Sequence, residues 1–463
     1  MPKSHADLNG LRDRADTLDD PGLGHGVLFS MRIAFVGHAS ILVNAGPVHL
    51  LMDPWLRGEV FNESWALHPE PVLSEQDLAG VTHIWISHEH PDHLNMPTLK
   101  GIPEDLRSRI TVLFQNHYSD EIVKILASLR FKDVVELPRA RFVTIAPEVE
   151  IYCRQVGHLD SSLAVRAEGK VVLNVNDCDL PVATMRSMSR DLGAVDVLLD
   201  QFSIAGWPGN ANDISRKEES RNRVMRKFMQ DIETLRPRYV VPFASFVRFS
   251  HRENAHMNLQ VNTIDDVMKR VDPSQLVVMY PGDRWDPAGP FPGTRRAVEA
   301  YREDFGRIKD LPTRTHEVVA LEKVLATVEK RLQDMRRRYH DVLLRWIPPV
   351  TFYLEDLERA LEVDVRRGVH EISLERSDCM VCLSSQAMWN TFAYRWGLPT
   401  LGVSGRMTLN PPERPFRRLK KLGALYSSKI FTREASSFVH RRLLGYLWGR
   451  RGDLYTQFLR RVI

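Results

Sequence analysis

The sequence predicts an α/β protein: a layered sandwich over residues 30–285, then a long helix and a smaller α+β domain. Three observations point there. Short apolar runs split by turn residues begin at Met31 (MRIAFVGH, SILVNA, VHLLMD, THIWISH), as in a strand meander. Beyond Asp120, strand-like runs alternate with amphipathic stretches such as DEIVKILASLRF. Clusters of polar residues stand where the apolar runs stop, which is where layered α/β proteins place their sites.

The remaining boundaries follow from composition. Residues 1–29 read as a polar lead-in. The segment WDPAGPFPGT, with three prolines and two glycines, opens a linker expected over 286–314. From Thr315 to Trp346 the apolar residues Leu321, Leu325, Val328, Leu332, Met335, Tyr339 and Val342 recur at steps of three and four, predicting one long amphipathic helix. That helix and an α+β unit fill 315–411, with a helix at QAMWNTFAYRWG expected to stop at Gly397 and Pro399. Residues 412–463 carry 13 Lys/Arg against three acids, a basic helical segment suited to a membrane surface or an anion. Net charge is +4, and nucleic acid is not an expected partner. Four cysteines are too few for a disulfide framework. With no signal-type leader and no apolar run of about 20 residues, the expected location is the cytoplasm.

The densest chemical signal is Ser87-His88-Glu89-His90-Pro91-Asp92-His93, at the end of the apolar run THIWIS. Imidazole and carboxylate are the ligand set of zinc and iron. Alternation along an extended chain puts His88 and His90 on one side, leaving Asp92 and His93 to turn toward a second ion. Further ligands are sought at other strand ends: His158 after EIYCRQVG, Asp177 after VVLNVN, and His251 after VVPFASFVRFS, with His256 as its alternate. The expected division gives His88, His90 and His158 to one metal. Asp92, His93 and His251 go to the other, with Asp177 bridging. Asp53 is expected to orient a ligand imidazole through its distal N–H. His38, with Asp92, is a candidate catalytic residue, His38 as a donor to substrate. Trp55, His68, Ser203, Trp207 and Arg248 are the expected substrate contacts.

These residues resemble the metallo-β-lactamase superfamily. The motifs GHAS at His38, DPW at Asp53 and HEHPDH are similar to its branch containing ascorbate-phosphate lactonase and N-acyl-phosphatidylethanolamine phospholipase D. The stretches MDPWLRGEVFNESWALHPEP, IWISHEHPDHLNMPTLK, VVLNVNDCD, VLLDQFSIAGWPGN and VVPFASFVRFSH resemble the catalytic domain of the CMP-N-acetylneuraminate hydroxylases, in the same order. The resemblance implies an αββα sandwich and an oxygen-dependent diiron hydroxylase of an anionic or nucleotide-activated sugar. Those hydroxylases carry a Rieske domain, whose centre takes two cysteines and two histidines. No cysteine precedes Cys153, so a separate Rieske or ferredoxin-type electron donor is expected.

The ligands themselves leave the chemistry open. Two such cations also serve hydrolysis of lactones, phosphodiesters or amides by activating a shared water. Iron is the expected metal and zinc the alternative. A non-catalytic lipid- or partner-binding scaffold is the third reading, suggested by a resemblance of Trp389–Arg406 to a sterol-carrier-type fold.

Overall fold

The computed structural model describes residues 30–411 except Tyr118, His158 and Arg395, and also 417–419, 421–423 and Trp448. The expected lead-in 1–29 and most of the basic segment 412–463 lie outside the described residues.

The strands of the first unit are β1 (Arg32–Gly37), β2 (Ser40–Ala45), β3 (Val48–Met52), β4 (Trp65–Leu67), β5 (His83–Ile86), β6 (Thr111–Gln115) and β7 (Asp133–Leu137). They continue as β8 (Phe142–Ala146), β9 (Val149–Val156), β10 (Asp160–Ala167), β11 (Lys170–Asn176), β12 (Val197–Gln201), β13 (Tyr239–Phe243), β14 (Val247–Phe249) and β15 (Arg284–Trp285). Two large sheets result, one ordered β15-β1-β2-β3-β5-β6-β7 and the other β13-β12-β11-β10-β9-β8, and β14 pairs with β4 in a small two-stranded sheet. Strand pairing is antiparallel from β15 to β3 and from β8 to β11. It is parallel through β3, β5, β6 and β7 and through β11, β12 and β13.

The period-two alternation of the strands accounts for the layering. Ile33, Phe35, Ile41, Val43, Leu50, Met52 and Trp85 point into the core between the sheets. Their neighbours Ala34, Val36, Leu42, Leu51, Ile84 and Ile86 form a second core with Leu99, Ile122 and Leu126 from the covering helices. The helices Val182–Leu192 and Ile214–Leu235 cover the second sheet, and their Met185, Met188, Met225 and Phe228 join the same hydrophobic cluster. Helix, sheet, sheet, helix is the expected sandwich.

The stretch 286–314, expected as a linker, is part of this unit. Trp285 pairs with Ile33 of β1, and its indole N–H donates to the Gly289 carbonyl at 2.9 Å. The Pro/Gly run is a turn leading into a helix, Thr294–Arg307, whose Ala297, Val298 and Tyr301 are buried in the first core. Tyr301 stacks on Phe246, with centroids 4.5 Å apart.

The long helix is shorter than expected, Leu321–Arg338. Tyr339 leaves helical geometry to bury its ring, and a separate turn of helix, Asp341–Leu344, leaves Val342 64% exposed. β16 (Val350–Leu354), β17 (Arg359–Asp364), β18 (Gly368–Ile372), β19 (Val381–Leu383) and β20 (Thr408–Leu409) form a five-stranded sheet ordered β18-β17-β16-β19-β20. Its core joins Val324, Val328 and Leu332 to Phe352, Leu361 and Met388. Ser384 caps the helix Ser385–Ala393 by accepting from the Ala387 N–H. Gly397, expected to end that helix, starts another, Gly397–Ser404. A Cβ at 397 would run into the carbonyls of Asn390 and Thr391, so the glycine permits this close approach. No helix among the described residues is long and apolar enough to cross a membrane.

Candidate metal centre

β1, β3 and β5 run in one direction, so the residues after them gather on one rim: His38, Asp53 and the Ser87–His93 loop. Asp177 follows β11 of the facing sheet. At this rim His38, Asp92 and His93 bring one ligand atom each to within 4.8 Å of one another, and His88, His90 and Asp177 do the same. The trios adjoin. Asp177 Oδ2 lies 3.6 Å from His88 Nε2 and 3.7 Å from His93 Nε2. Asp92 Oδ2 lies 3.5 Å from both His38 Nε2 and His93 Nε2.

A buried scaffold sets these rings. The Asp53 carboxylate, fully buried, accepts from the Ser87 N–H at 2.7 Å and from Asn176 Nδ2 at 3.1 Å, and faces His93 Nδ1 at 2.9 Å. His93 Nε2 is thereby turned toward Asp92 and Asp177. Ser87 Oγ lies 2.9 Å from His88 Nδ1. The Ser87 carbonyl accepts from Gln115 Nε2 at 3.0 Å and Ser161 Oγ at 2.6 Å. Gln115 and Ser161 were not singled out in the sequence. Gln115 is signalled only as a polar residue closing the apolar strand TVLFQ, and Ser161, in DSSLAVRA, carries no such signal.

Burial dominates the electrostatics. It drives His88 down to about 3, despite the Asp177 charge, and also lowers His38. In His93 burial acts the same way but is outweighed by Asp92, Asp177 and Asp53, which raise it to about 10. Burial works against ionisation of Asp92 and Asp177 as well. For Asp92 the His93 and His38 rings more than offset this, and for Asp177 the His88 and His93 rings do, so both stay below the usual carboxylate range. Two carboxylates thus face the His38, His88 and His93 rings at a largely buried rim. Among the described residues, both ring nitrogens of His38, Asp92 Oδ1 and Asp177 Oδ1 are buried without a hydrogen-bond partner. Orphaned acceptors and excess negative charge are costly unless a cation answers them. With an imidazole and carboxylate donor set, the residues fit a pair of zinc or iron ions.

Of the expected ligands, His88, His90, Asp92, His93 and Asp177 are brought together. His158 lies outside the described residues. His251 is not brought to the cluster: its Nδ1 faces Glu253 Oε2 at 3.2 Å, and burial and the Arg406 charge hold it down at about 4. His256, its alternate, sits on the short helix Ala255–Gln260, outside both trios. The position beside Asp92 and His93 is filled by His38, which the tight link from β1 to β2 holds at φ 31°.

The expected substrate contacts separate. Trp55 is buried with its ring edge-on to His38 at 5.5 Å. Ser203 lies at the end of β12, its backbone N–H on Ser245 Oγ at 3.0 Å and its own buried hydroxyl oxygen unpartnered. Trp207 instead packs into the C-terminal core, its backbone N–H donating to the Gly402 carbonyl at 2.7 Å. His68 and Arg248 are engaged elsewhere, on the carbonyls of Asp304 at 3.0 Å and Pro312 at 2.9 Å.

Residues 32–151 match the family described as the beta-lactamase superfamily domain. The cytidine monophosphate-N-acetylneuraminic acid hydroxylase of Danio rerio is 25% identical over 246 residues, 50% of this chain and 40% of the relative. The chain therefore spans less than half the length of that relative. Among solved structures, CmlA, a diiron beta-hydroxylase from Streptomyces venezuelae, aligns with 64% of this chain and 54% of its own at 16% identity and a TM-score of 0.34. A metallo hydrolase from Ignicoccus hospitalis aligns with 55% of this chain and 97% of its own at 17% identity and a TM-score of 0.38. The rim of histidines and aspartates lies in the expected metallo-β-lactamase-type sandwich, whose residues 32–151 match the beta-lactamase superfamily domain.

Proposed function

We propose that the chain is a dinuclear-metal hydroxylase of a small anionic or nucleotide-activated sugar-like substrate, taking electrons from a separate protein. The observation that carries the metal reading is the pair of adjoining trios, His88/His90/Asp177 and His38/Asp92/His93. Hydroxylation is favoured over hydrolysis by the similarity of half the chain to enzymes named as hydroxylases. In this reading His88, His90 and Asp177 hold one ion and His38, Asp92 and His93 the other. Asp177, whose Oδ2 lies 3.6 Å from His88 Nε2 and 3.7 Å from His93 Nε2, would be within reach of either ion. His38 becomes a ligand rather than a proton donor.

When bound, two irons supply oxygen activation; two zincs would supply Lewis acidity for hydrolysis. The chain does the rest. Asp53 fixes His93 in one orientation through Nδ1, and Ser87 fixes His88. Asp92 Oδ1, without a partner among the described residues, is left to accept a hydrogen bond from the substrate. Trp55, buried against His38, keeps bulk water from that side of the rim. Ser203 offers the substrate a buried hydroxyl.

The test is oxygen uptake by the iron-loaded protein with a chemical or ferredoxin reductant and a panel of CMP-sugars. The reading expects substrate-dependent uptake and a product heavier by one oxygen. Zinc as the sole metal, with hydrolysis and no oxygen uptake, replaces it with the hydrolase.

A further inference from the structure

The loop between β3 and β4 holds three successive non-glycine residues in the left-handed region: Phe61 (φ 53°), Asn62 (φ 60°) and Glu63 (φ 58°). L-residues seldom adopt this geometry singly, and a run of three persists only when its surroundings over-determine it. Val60 closes the turn, its carbonyl accepting from the N–H groups of Ser64 at 3.0 Å and Trp65 at 3.2 Å. Within the first unit Asn254 Nδ2 and the Ser250 N–H donate to the Ser64 carbonyl, both at 2.9 Å, and the C-terminal unit adds a constraint at Asn62. Arg406 is 2% exposed and donates from Nη1 to the Asn62 carbonyl at 3.0 Å. Its Nε meets Glu253 Oε2 at 2.5 Å, and its Nη2 meets Gln386 Oε1 at 2.7 Å. Nearby, the Val403 carbonyl accepts from Trp65 Nε1 at 3.2 Å. Segment 403–406 therefore touches the turn at its middle residue, Asn62, and the Trp65 side chain just beyond it.

The turn has one consequence at the metal centre. It sets the buried Phe61 ring 6.1 Å from the ring of His90 and 4.8 Å from that of Trp65. On its other side His90 meets His88, with Nδ1 and Nε2 2.8 Å apart. His90 is thus held between a companion ligand and a wall whose backbone the C-terminal unit fixes.

We propose that Arg406 is a positioning residue for the metal centre, acting through the 61–63 turn and Phe61 on His90. This rests on the proposed metal reading. The trio His88/His90/Asp177 reaches its ordered geometry only with the C-terminal unit docked. Arg406 does more than fasten the two units: a fastening residue would change stability and leave ion binding alone.

Cobalt(II) titration of the metal-stripped full chain, followed by its visible absorption, tests this with wild type, Arg406→Lys, Phe61→Leu and the double variant. Lysine keeps the charge but cannot reach Asn62, Glu253 and Gln386 together. Each single change is expected to weaken one cobalt site about tenfold or more and to alter its absorption bands, as loss of ligand-orienting groups does. The double variant is expected to be no worse than the weaker single, because both act along one path. Wild-type affinity and bands in Arg406→Lys, or additive losses in the double variant, would overturn the proposal. Should Arg406→Lys be recovered unfolded, Phe61→Leu decides alone, since unchanged binding there breaks the path. A wild type that binds no cobalt removes the metal reading and this role with it, a result distinct from a wild type that binds while the variants match it.

Discussion

Asp53 shows how one side chain can serve a centre without touching an ion. It accepts from the Ser87 N–H at 2.7 Å and faces His93 Nδ1 at 2.9 Å, so it sets both the loop and a ligand ring. Asp53→Ala is predicted to lower metal affinity about 10–100-fold, measured by chelator competition. Unchanged affinity would show that His93 needs no such partner. His88→Ala should remove one ion from the centre while the far-ultraviolet circular dichroism stays that of the folded chain, because the two cores do not include it. At this scale the sequence was legible where ligands crowd one loop, as in His88 to His93. It was less so where a strand end supplies one residue. His38 and His251 look alike as isolated histidines after apolar runs, and only the path of the chain separates them. His251 is drawn away by Glu253 and Arg406, a contact between segments some 150 positions apart.

Among the elements, the helix Thr294–Arg307 corrects the sequence reading most. Three prolines and two glycines in ten residues signalled a linker, and locally they do make a turn. The signal does not reveal that the chain then re-enters the first core with Tyr301, whose hydroxyl donates to the Met279 carbonyl at 2.8 Å. Tyr301→Ala is therefore predicted to cost about 3–5 kcal/mol in denaturant unfolding, the range for deleting a buried aromatic ring. A change within about 0.5 kcal/mol, normal for a surface position, would restore the linker. Strands were easier to place because alternation writes both faces of a covered sheet into the sequence, as with Ile33 and Phe35 against Ala34 and Val36. Helix ends were harder. Gly397 looks like a stop, yet it serves a close packing that depends on where another helix ends.

For the whole molecule, the two units meet through specific polar contacts. Asn210 pairs with Leu409 as a strand would, donating to its carbonyl at 2.8 Å and accepting from its N–H at 2.9 Å. Asn210→Ala leaves both backbone groups unmet and is predicted to cost about 1–3 kcal/mol, read as separation of one calorimetric transition into two. A single unshifted transition would contradict that coupling. The sandwich was legible from alternation and motifs. The docking was not, because it joins side chains far apart in the sequence, such as Arg406 and Glu253, and backbone carbonyls, such as those of Gly402 and Val403, which no residue type announces. What unites the molecule is the claim that its rim gathers two ions. Elemental analysis of the anaerobically purified wild type and of Asp177→Ala tests it most directly. The account predicts about two metal ions per wild-type chain, mainly iron, and a marked loss in the variant. Fewer than about one ion in the wild type, or a variant that keeps the full complement, would contradict it.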